Sequence, residues 1–260
     1  MRLSAANGES PSLAERMRSP DCLVRALEVV RAVQDAESVQ TLFEVYRQAL
    51  DCLGVDAAVF TSYLRDDATR SSYRSLPACD PVWASEYARH GWCEDDPWLR
   101  HAAHDTEPIR SSQLALCSPR EQEFTEAASL HGFASVVIVP APTSAGLSRV
   151  GVLGLGSATP GYFDDEGYGT LRVLARALAM ELHAWLRQSI REELLIKSRL
   201  TTSDIELLRH AAAGHISKVI AATLHTEAKT IDCRFQRVCA KLDAPNRRVA
   251  VRIAHLYGLI

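Results

Sequence analysis

Three groups of residues have types and spacings suited to chemistry. The first lies near the C-terminus. Within Glu227 to Leu242 a helical period carries its cations, Lys229, Arg234, Arg237 and Lys241, on one side. A flank of this kind suits the major groove of a duplex, which admits an α-helix. The second group is Trp83 and Tyr87, with Asp96-Pro97 nine residues after Tyr87. On residue types alone this is an aromatic pair in a core followed by a turn. The third group is His90, His101, His104 and His131 beside Asp95, Asp96 and Asp105. His101-x-x-His104 offers two metal ligands on one helix face, but a third of suitable spacing is missing, so no metal site is expected. The chain has no nucleophile-elbow, phosphate-loop or dinucleotide motif, and Val152 to Gly156 (VLGLG) reads as a strand rather than a phosphate cradle. Neither an enzyme nor a cofactor is expected.

These groups sit in a chain of 260 residues, enough for about two domains, with 47% apolar and 23% charged residues. No apolar run approaches the ~20 residues that cross a bilayer, and the first residues lack the apolar core of a secretion signal. A cytoplasmic protein without membrane contact is expected. The seven cysteines form no CxxC pair and read as reduced thiols. The net charge of −3 is uneven: residues 200–260 hold nine Lys/Arg and five Asp/Glu (+4), leaving 20 and 27 (−7) in the rest. A cationic module on an acidic body fits a polyanion-binding domain with a separate control domain.

The elements that must position the candidates follow from local signals. Residues 1–19 are polar and read as a loose arm. Asp21 to Leu53 shows helical spacing with a break near Asp35 and a stop at Gly54. Ala57 to Leu64 reads as a strand and Ser71 to Leu76 as a weaker one. Pro81–His90 and Pro97–His104 are short helices opening on Pro. Ser118-Pro119-Arg120-Glu121 starts a helix, with Glu121 placed to close a capping box, that runs to about His131. Ala134–Pro140 and Ser148–Gly156 are strands joined by the hairpin-like loop APTSAGL. Asp164 to Ser198 is helical, and its charged end (192–198) reads as a hinge. Beyond Leu200 come four short helices: Thr201 and Asp204 box the first, Gly214 ends it, Ile216–Leu224 is the second, Thr226 caps the third (Glu227 to about Leu242), and Asn246 caps a fourth that Gly258 closes.

The last sixty residues resemble the helix-turn-helix domain of LuxR/FixJ-type regulators, the GerE-like module. The resemblance rests on LT-x-x-D-x-x-x-L at 200–208, Gly214, Ile220-Ala221, Leu224, Thr230-Ile231, Lys241-Leu242, Asn246-Arg247, Ala250 and the terminal GLI. It implies that the third helix enters the major groove, with Lys229, Thr230 and Arg234 facing DNA and Arg237 and Lys241 near phosphates. Asp204 stands where the family usually has Glu. Asp232 stands where many members carry a cation or polar residue; a carboxylate there accepts from cytosine N4 but repels phosphates. Residues 22–190 resemble, more loosely, acyl-homoserine-lactone sensor domains, which share W-x-x-x-Y and DP at this spacing. That resemblance implies an α/β/α sandwich with a pocket in which Trp83 donates to a lactone carbonyl, Asp96 accepts the ligand amide N–H, Tyr87 bonds the amide carbonyl and Pro97 shapes the wall. Four positions depart from the family: Ser111 replaces a Trp, Val136 a pocket glycine, Gly154 a hydroxyl residue and Cys79 an aromatic.

The expectation is therefore an α+β protein. It comprises an arm (1–19), a sensor domain (20–190) that is an α/β/α sandwich with a mostly antiparallel sheet, a linker (191–199) and a four-helix helix-turn-helix domain (200–260). Its expected partners are double-stranded DNA, a second copy of the chain in a homodimer, and a small amphipathic signal such as an acyl-homoserine lactone. The alternative is a ligand-independent orphan regulator, or an interaction protein that heterodimerises with related regulators.

Overall fold

The structure, a computed structural model, describes residues 11–65, 71–143 and 149–260. These fall into two compact units. Of the described residues, the first takes in 11–63, Tyr73–Thr143 and Val150–His183; the second is chiefly Ala184–Ile260.

The first unit opens with helices α1 (Leu13–Arg18), α2 (Pro20–Ala32) and α3 (Val39–Leu53). The expected loose arm is thus helical in its second half. Ser12 and Glu15 form a reciprocal capping box, and Leu13 and Met17 are buried. A 3-10 turn at Val33–Asp35 makes the expected break, and Gly54 ends α3 at φ 68°. Strands β1 (Ala57–Arg65) and β2 (Ser71–Ala78) follow, then α4 (Pro81–His90), α5 (Pro97–His104), the two-residue β3 (Ile109–Arg110), α6 (Pro119–Ser129), β4 (Ser135–Ala141) and β5 (Arg149–Ser157). Each of α4, α5 and α6 starts with Pro behind a side-chain cap, from Asp80, Asp96 and Ser118. The capping box at α6 does not close. Glu121 instead accepts the Cys117 N–H at 2.6 Å and pairs with Arg100 at 2.5 Å. Burial would raise its pKa, but the guanidinium and that N–H hold its carboxyl below the ordinary value.

The strands form one five-stranded antiparallel sheet in the order β2-β1-β5-β4-β3. Ile138 of β4 lies opposite both Gly154 of β5 and Ile109 of β3. Every residue of β4 and β5 is buried, which explains their near-continuous apolar runs: both faces of the central strands are covered. Most of the expected hairpin loop between them (144–147) lies outside the described residues. On one face, α4, α5 and α6 pack against Ala57, Val136, Ile138, Val150 and Val152. On the other, Phe60 meets His183 of the long helix α7 (Tyr168–Ser198) at 6.1 Å. Helices α1 to α3 pack on one another, and the Gln34 amide donates to the Glu181 carbonyl of α7 at 2.9 Å. This is the α/β/α sandwich. The segment expected as a linker is helical as far as Ser198.

The second unit holds α8 (Thr202–Ala212), α9 (Ser217–Thr223), α10 (Ala228–Lys241) and α11 (Arg247–Leu256). Thr201 and Asp204 close the capping box of α8, and Asn246 caps α11 by accepting the Val249 N–H at 3.0 Å. Thr226 does not cap α10. Its N–H bonds the Ala221 carbonyl at 2.9 Å within the α9 end turn, so the chain is still turning there, and Glu227 becomes the N-cap without a side-chain bond. Ile220, Ala221, Ile231, Val238, Leu242 and Ala250 meet in one small core.

Candidate ligand pocket and nucleic-acid interface

Asp96 is the focus of the first unit's polar chemistry. It is 4% exposed. Its Oδ1 accepts the N–H groups of Trp98 (2.8 Å) and Leu99 (3.2 Å), capping α5. Its Oδ2 accepts from the Tyr87 hydroxyl at 2.8 Å. Burial pushes the Asp96 carboxyl up to about 6 against the opposing effect of these three donors, with the Glu121 charge adding a smaller rise. Burial and the adjacent Asp96 also raise Tyr87 far above its ordinary value, so the hydroxyl stays a donor. Around this pair the surface is aromatic. Trp83 is 1% exposed, and its ring lies 6.0 Å from Tyr87, 5.4 Å from Phe124 and 6.1 Å from Phe133. The arrangement places one acceptor and one hydroxyl inside an apolar wall, which suits the polar head of a small amphipathic molecule.

The remaining expected pocket residues are placed as follows. Pro97 is buried at the first turn of α5. Val136 is buried in the same cluster, where its branched side chain packs. The Ser111 Oγ accepts the Val136 N–H at 3.0 Å, tying the segment after β3 to β4, so its hydroxyl serves the backbone. Three wall residues had no sequence signal singled out: Trp98, Phe124 and Phe133. Trp98 is 4% exposed, with its ring 5.1 Å from Phe124 and 5.3 Å from Phe133. A Cβ on Gly154 would lie 2.8 Å from its ring, so the absent hydroxyl at Gly154 goes with the presence of Trp98. Cys79 is half-buried beside the cluster, and burial raises its thiol to about 12.

The histidines do not converge. His101 Nε2 and His104 Nδ1 donate to the carbonyls of Glu107 (2.8 Å) and Arg100 (2.9 Å). His131 lies between Asp80 (3.1 Å) and Glu86 (3.3 Å), with its ring 5.9 Å from Trp83. Among the described residues no three such side chains gather at a metal-binding geometry.

On α10, Lys229, Thr230, Asp232 and Arg237 are exposed. The exposed stripe also includes Cys233 and Gln236, at helical spacing from Lys229 and Asp232; that spacing was the available signal for both. Three expected contacts are engaged within the module. The Arg234 guanidinium bonds the Ser203 carbonyl (3.2 Å) and hydroxyl. The Ser217 hydroxyl donates to Asp232 at 2.6 Å. The Lys241 Nζ holds Asp204 at 2.6 Å, closing α10 on the start of α8. A test separates cations that touch DNA from those that build the domain. Arg237→Ala should leave the melting temperature in place and reduce the slope of log affinity against log salt by about one. Lys241→Ala should leave that slope unchanged and cost roughly 1 kcal/mol of stability, because it strands a partly buried carboxylate. Salt-series binding and thermal melts of both variants check this.

Comparison with known proteins agrees with both halves. Residues 38–185 match the family described as Autoinducer binding domain, and residues 198–254 match Bacterial regulatory proteins, luxR family. The chain is similar to the HTH-type quorum sensing-dependent transcriptional regulator RpaR of Rhodopseudomonas palustris, at 24% identity over 91% of this chain and 95% of that protein. It is also similar to the transcriptional activator protein VanR of Vibrio anguillarum, at 23% identity over 68% of this chain and 73% of that one. In fold it resembles SdiA in complex with octanoyl-rac-glycerol (TM-score 0.68, 17% identity, covering 92% of this chain and 96% of that one). A crystal structure of Escherichia coli SdiA gives a TM-score of 0.66 at 19% identity, covering 92% and 98%. With the family matches covering most of its length, the chain belongs to the LuxR family of transcription regulators, a non-enzymatic family, and joins an autoinducer-binding domain to a helix-turn-helix DNA-binding domain.

Proposed function

We propose that residues 20–190 sense a small amphipathic molecule of the acyl-homoserine-lactone type, and that residues 200–260 bind DNA as a homodimer in the cytoplasm. The observation that carries the ligand reading is the buried Asp96–Tyr87 pair within aromatic walls. A ligand amide can engage both members of the pair: its N–H adds a donor to the carboxylate, and its carbonyl accepts the Tyr87 hydroxyl when that hydrogen turns from Asp96. Trp83 then takes the lactone carbonyl, Pro97 and Val136 shape the wall, and Ser111 supports it through β4. A solved relative in fold carries octanoyl-rac-glycerol, an acyl chain on a polar head. Dimerisation follows from the size of one helix-turn-helix module: a single reading helix covers one half-site, and paired half-sites raise affinity.

Thermal melts with a series of acyl-homoserine lactones test the ligand reading. A ligand at 100 times its Kd adds about 2.7 kcal/mol to folded-state stability, which for a protein of this size is a rise of roughly 5–10 °C. Failure of every lactone to move the melting temperature sinks it. The second reading, a ligand-independent regulator or a heterodimerising partner, is favoured by one observation: the rings of Trp98, Phe124 and Phe133 already pack on one another against β5. A reporter assay in cells lacking related regulators separates the two.

A further inference from the structure

We propose that Asp232 reads a cytosine in the major groove and that Ser217, at the start of α9, is the positioning residue that aims its carboxylate. The proposal rests on α10 being the reading helix and names the base that one of its positions selects.

Asp232 lies on the exposed stripe of α10, three residues after Lys229 and four before Gln236. Its Oδ1 accepts the Ser217 hydroxyl at 2.6 Å, a bond that crosses from α9 to α10 and limits rotation of the carboxylate. No bond to the second oxygen, Oδ2, is found among the described residues, so one acceptor is fixed and one is open. Only two major-groove groups donate, cytosine N4 and adenine N6, and adenine sets its N7 acceptor beside the donor. A carboxylate has no hydrogen to offer N7, so it favours cytosine. The phosphate repulsion that argues against an acid here is offset locally. The Arg247 guanidinium sits over the Phe235 ring at 4.0 Å and donates to the His215 carbonyl. It acts electrostatically on Asp232 without an ion pair to it, which leaves the carboxylate uncovered.

The test is selection of binding sites from a randomised duplex library by the full-length protein at fixed salt, with and without a lactone mixture. The wild type should enrich cytosine at one position of each half-site. Asp232→Asn, nearly the same shape, should move that position toward adenine, whose N6 and N7 match an amide. Ser217→Ala should weaken the cytosine preference at least about five-fold while leaving the other positions as they were, since positioning loss flattens one column and domain damage flattens all. Melting temperatures of both variants confirm folding, and Asp232→Asn alone decides the matter if Ser217→Ala does not fold. A site that Asp232→Asn selects unchanged overturns the cytosine proposal and leaves α10 as the reading helix. A wild type that enriches no sequence in either condition overturns the reading helix, and the proposal with it.

Discussion

Asp96→Asn should make the ligand-free protein more stable at pH 8 and cost it roughly 10- to 100-fold in lactone affinity. The gain follows from the buried charge. The folded carboxyl titrates at about 6 because burial disfavours its anion, whereas an unfolded Asp titrates near ~3.9. The folded value is thus the higher one. Between about pH 4 and 6 the folded state holds a proton that the unfolded state has released, so stability falls as pH rises through that window, by up to roughly 3 kcal/mol. Asn carries no charge, so this dependence should vanish. Its carbonyl still accepts the Trp98 and Leu99 N–H groups, and the α5 cap survives. The loss comes from the ligand: a hydrogen bond to a charged acceptor is worth about 1.5–3 kcal/mol, and Asn offers a weaker one. Melts of both proteins from pH 4 to 8, with lactone titrations at pH 8, check both parts. A wild-type curve that is flat across the window would refute the charge argument, and undiminished affinity in Asp96→Asn would remove Asp96 from the ligand site.

Asp96 also shows where the sequence is legible. The helix start beside it is local, readable from Pro97 as from Pro81, Ser118-Pro119 and the Thr201–Asp204 box, whereas the residue types of Asp96-Pro97 alone read as a turn and not as the cap that Asp96 makes. The helix-turn-helix module is legible almost whole because its turns, caps and core positions lie within sixty residues. Failures of reading have physical causes. Strand β3 has two residues and exists only through pairing with Val137 and Ile138. The charged end 192–198 reads as a hinge, yet Glu, Leu and Lys are good helix formers, and nothing breaks the helix before Arg199 at φ 50°. Lys241, which the resemblance sets near phosphates, also holds Asp204, 37 residues earlier, a contact that no local pattern shows. Burial of Asp96, and with it the raised pKa, depends on walls contributed by Trp83, Phe124 and Phe133, which no local pattern assembles.

The two glycines of β5 that face those walls should respond differently to the same added methyl. At Gly154 the three atoms nearest a Cβ would all belong to Trp98, with Cζ3 at 2.8 Å and Cε3 at 3.0 Å. A side chain can shift, so Gly154→Ala should cost about 1–3 kcal/mol, and Trp98→Leu in the same chain should return much of it. At Gly156 a Cβ would run into Phe133 Cδ1 and also meet the Gly132 carbonyl oxygen at 2.5 Å. That carbonyl belongs to backbone held by Gly132 at φ 92° and by the Phe133 N–H bond to Ala128 at 3.2 Å. Gly156 is itself fixed, since its carbonyl accepts the Asp56 N–H at 3.0 Å. Gly156→Ala should therefore cost more than about 3 kcal/mol, and Phe133→Leu should not rescue it. Denaturant-unfolding cycles on both pairs measure the two couplings. Equal rescue at both sites would mean that the Gly132 backbone yields as readily as a ring. The contrast reaches the ligand site as well. Trp98 donates its N–H to Asp96, so displacing its ring with Gly154→Ala disturbs the residue that holds the carboxylate. Lactone affinity should fall in Gly154→Ala and recover when Trp98→Leu relieves the clash.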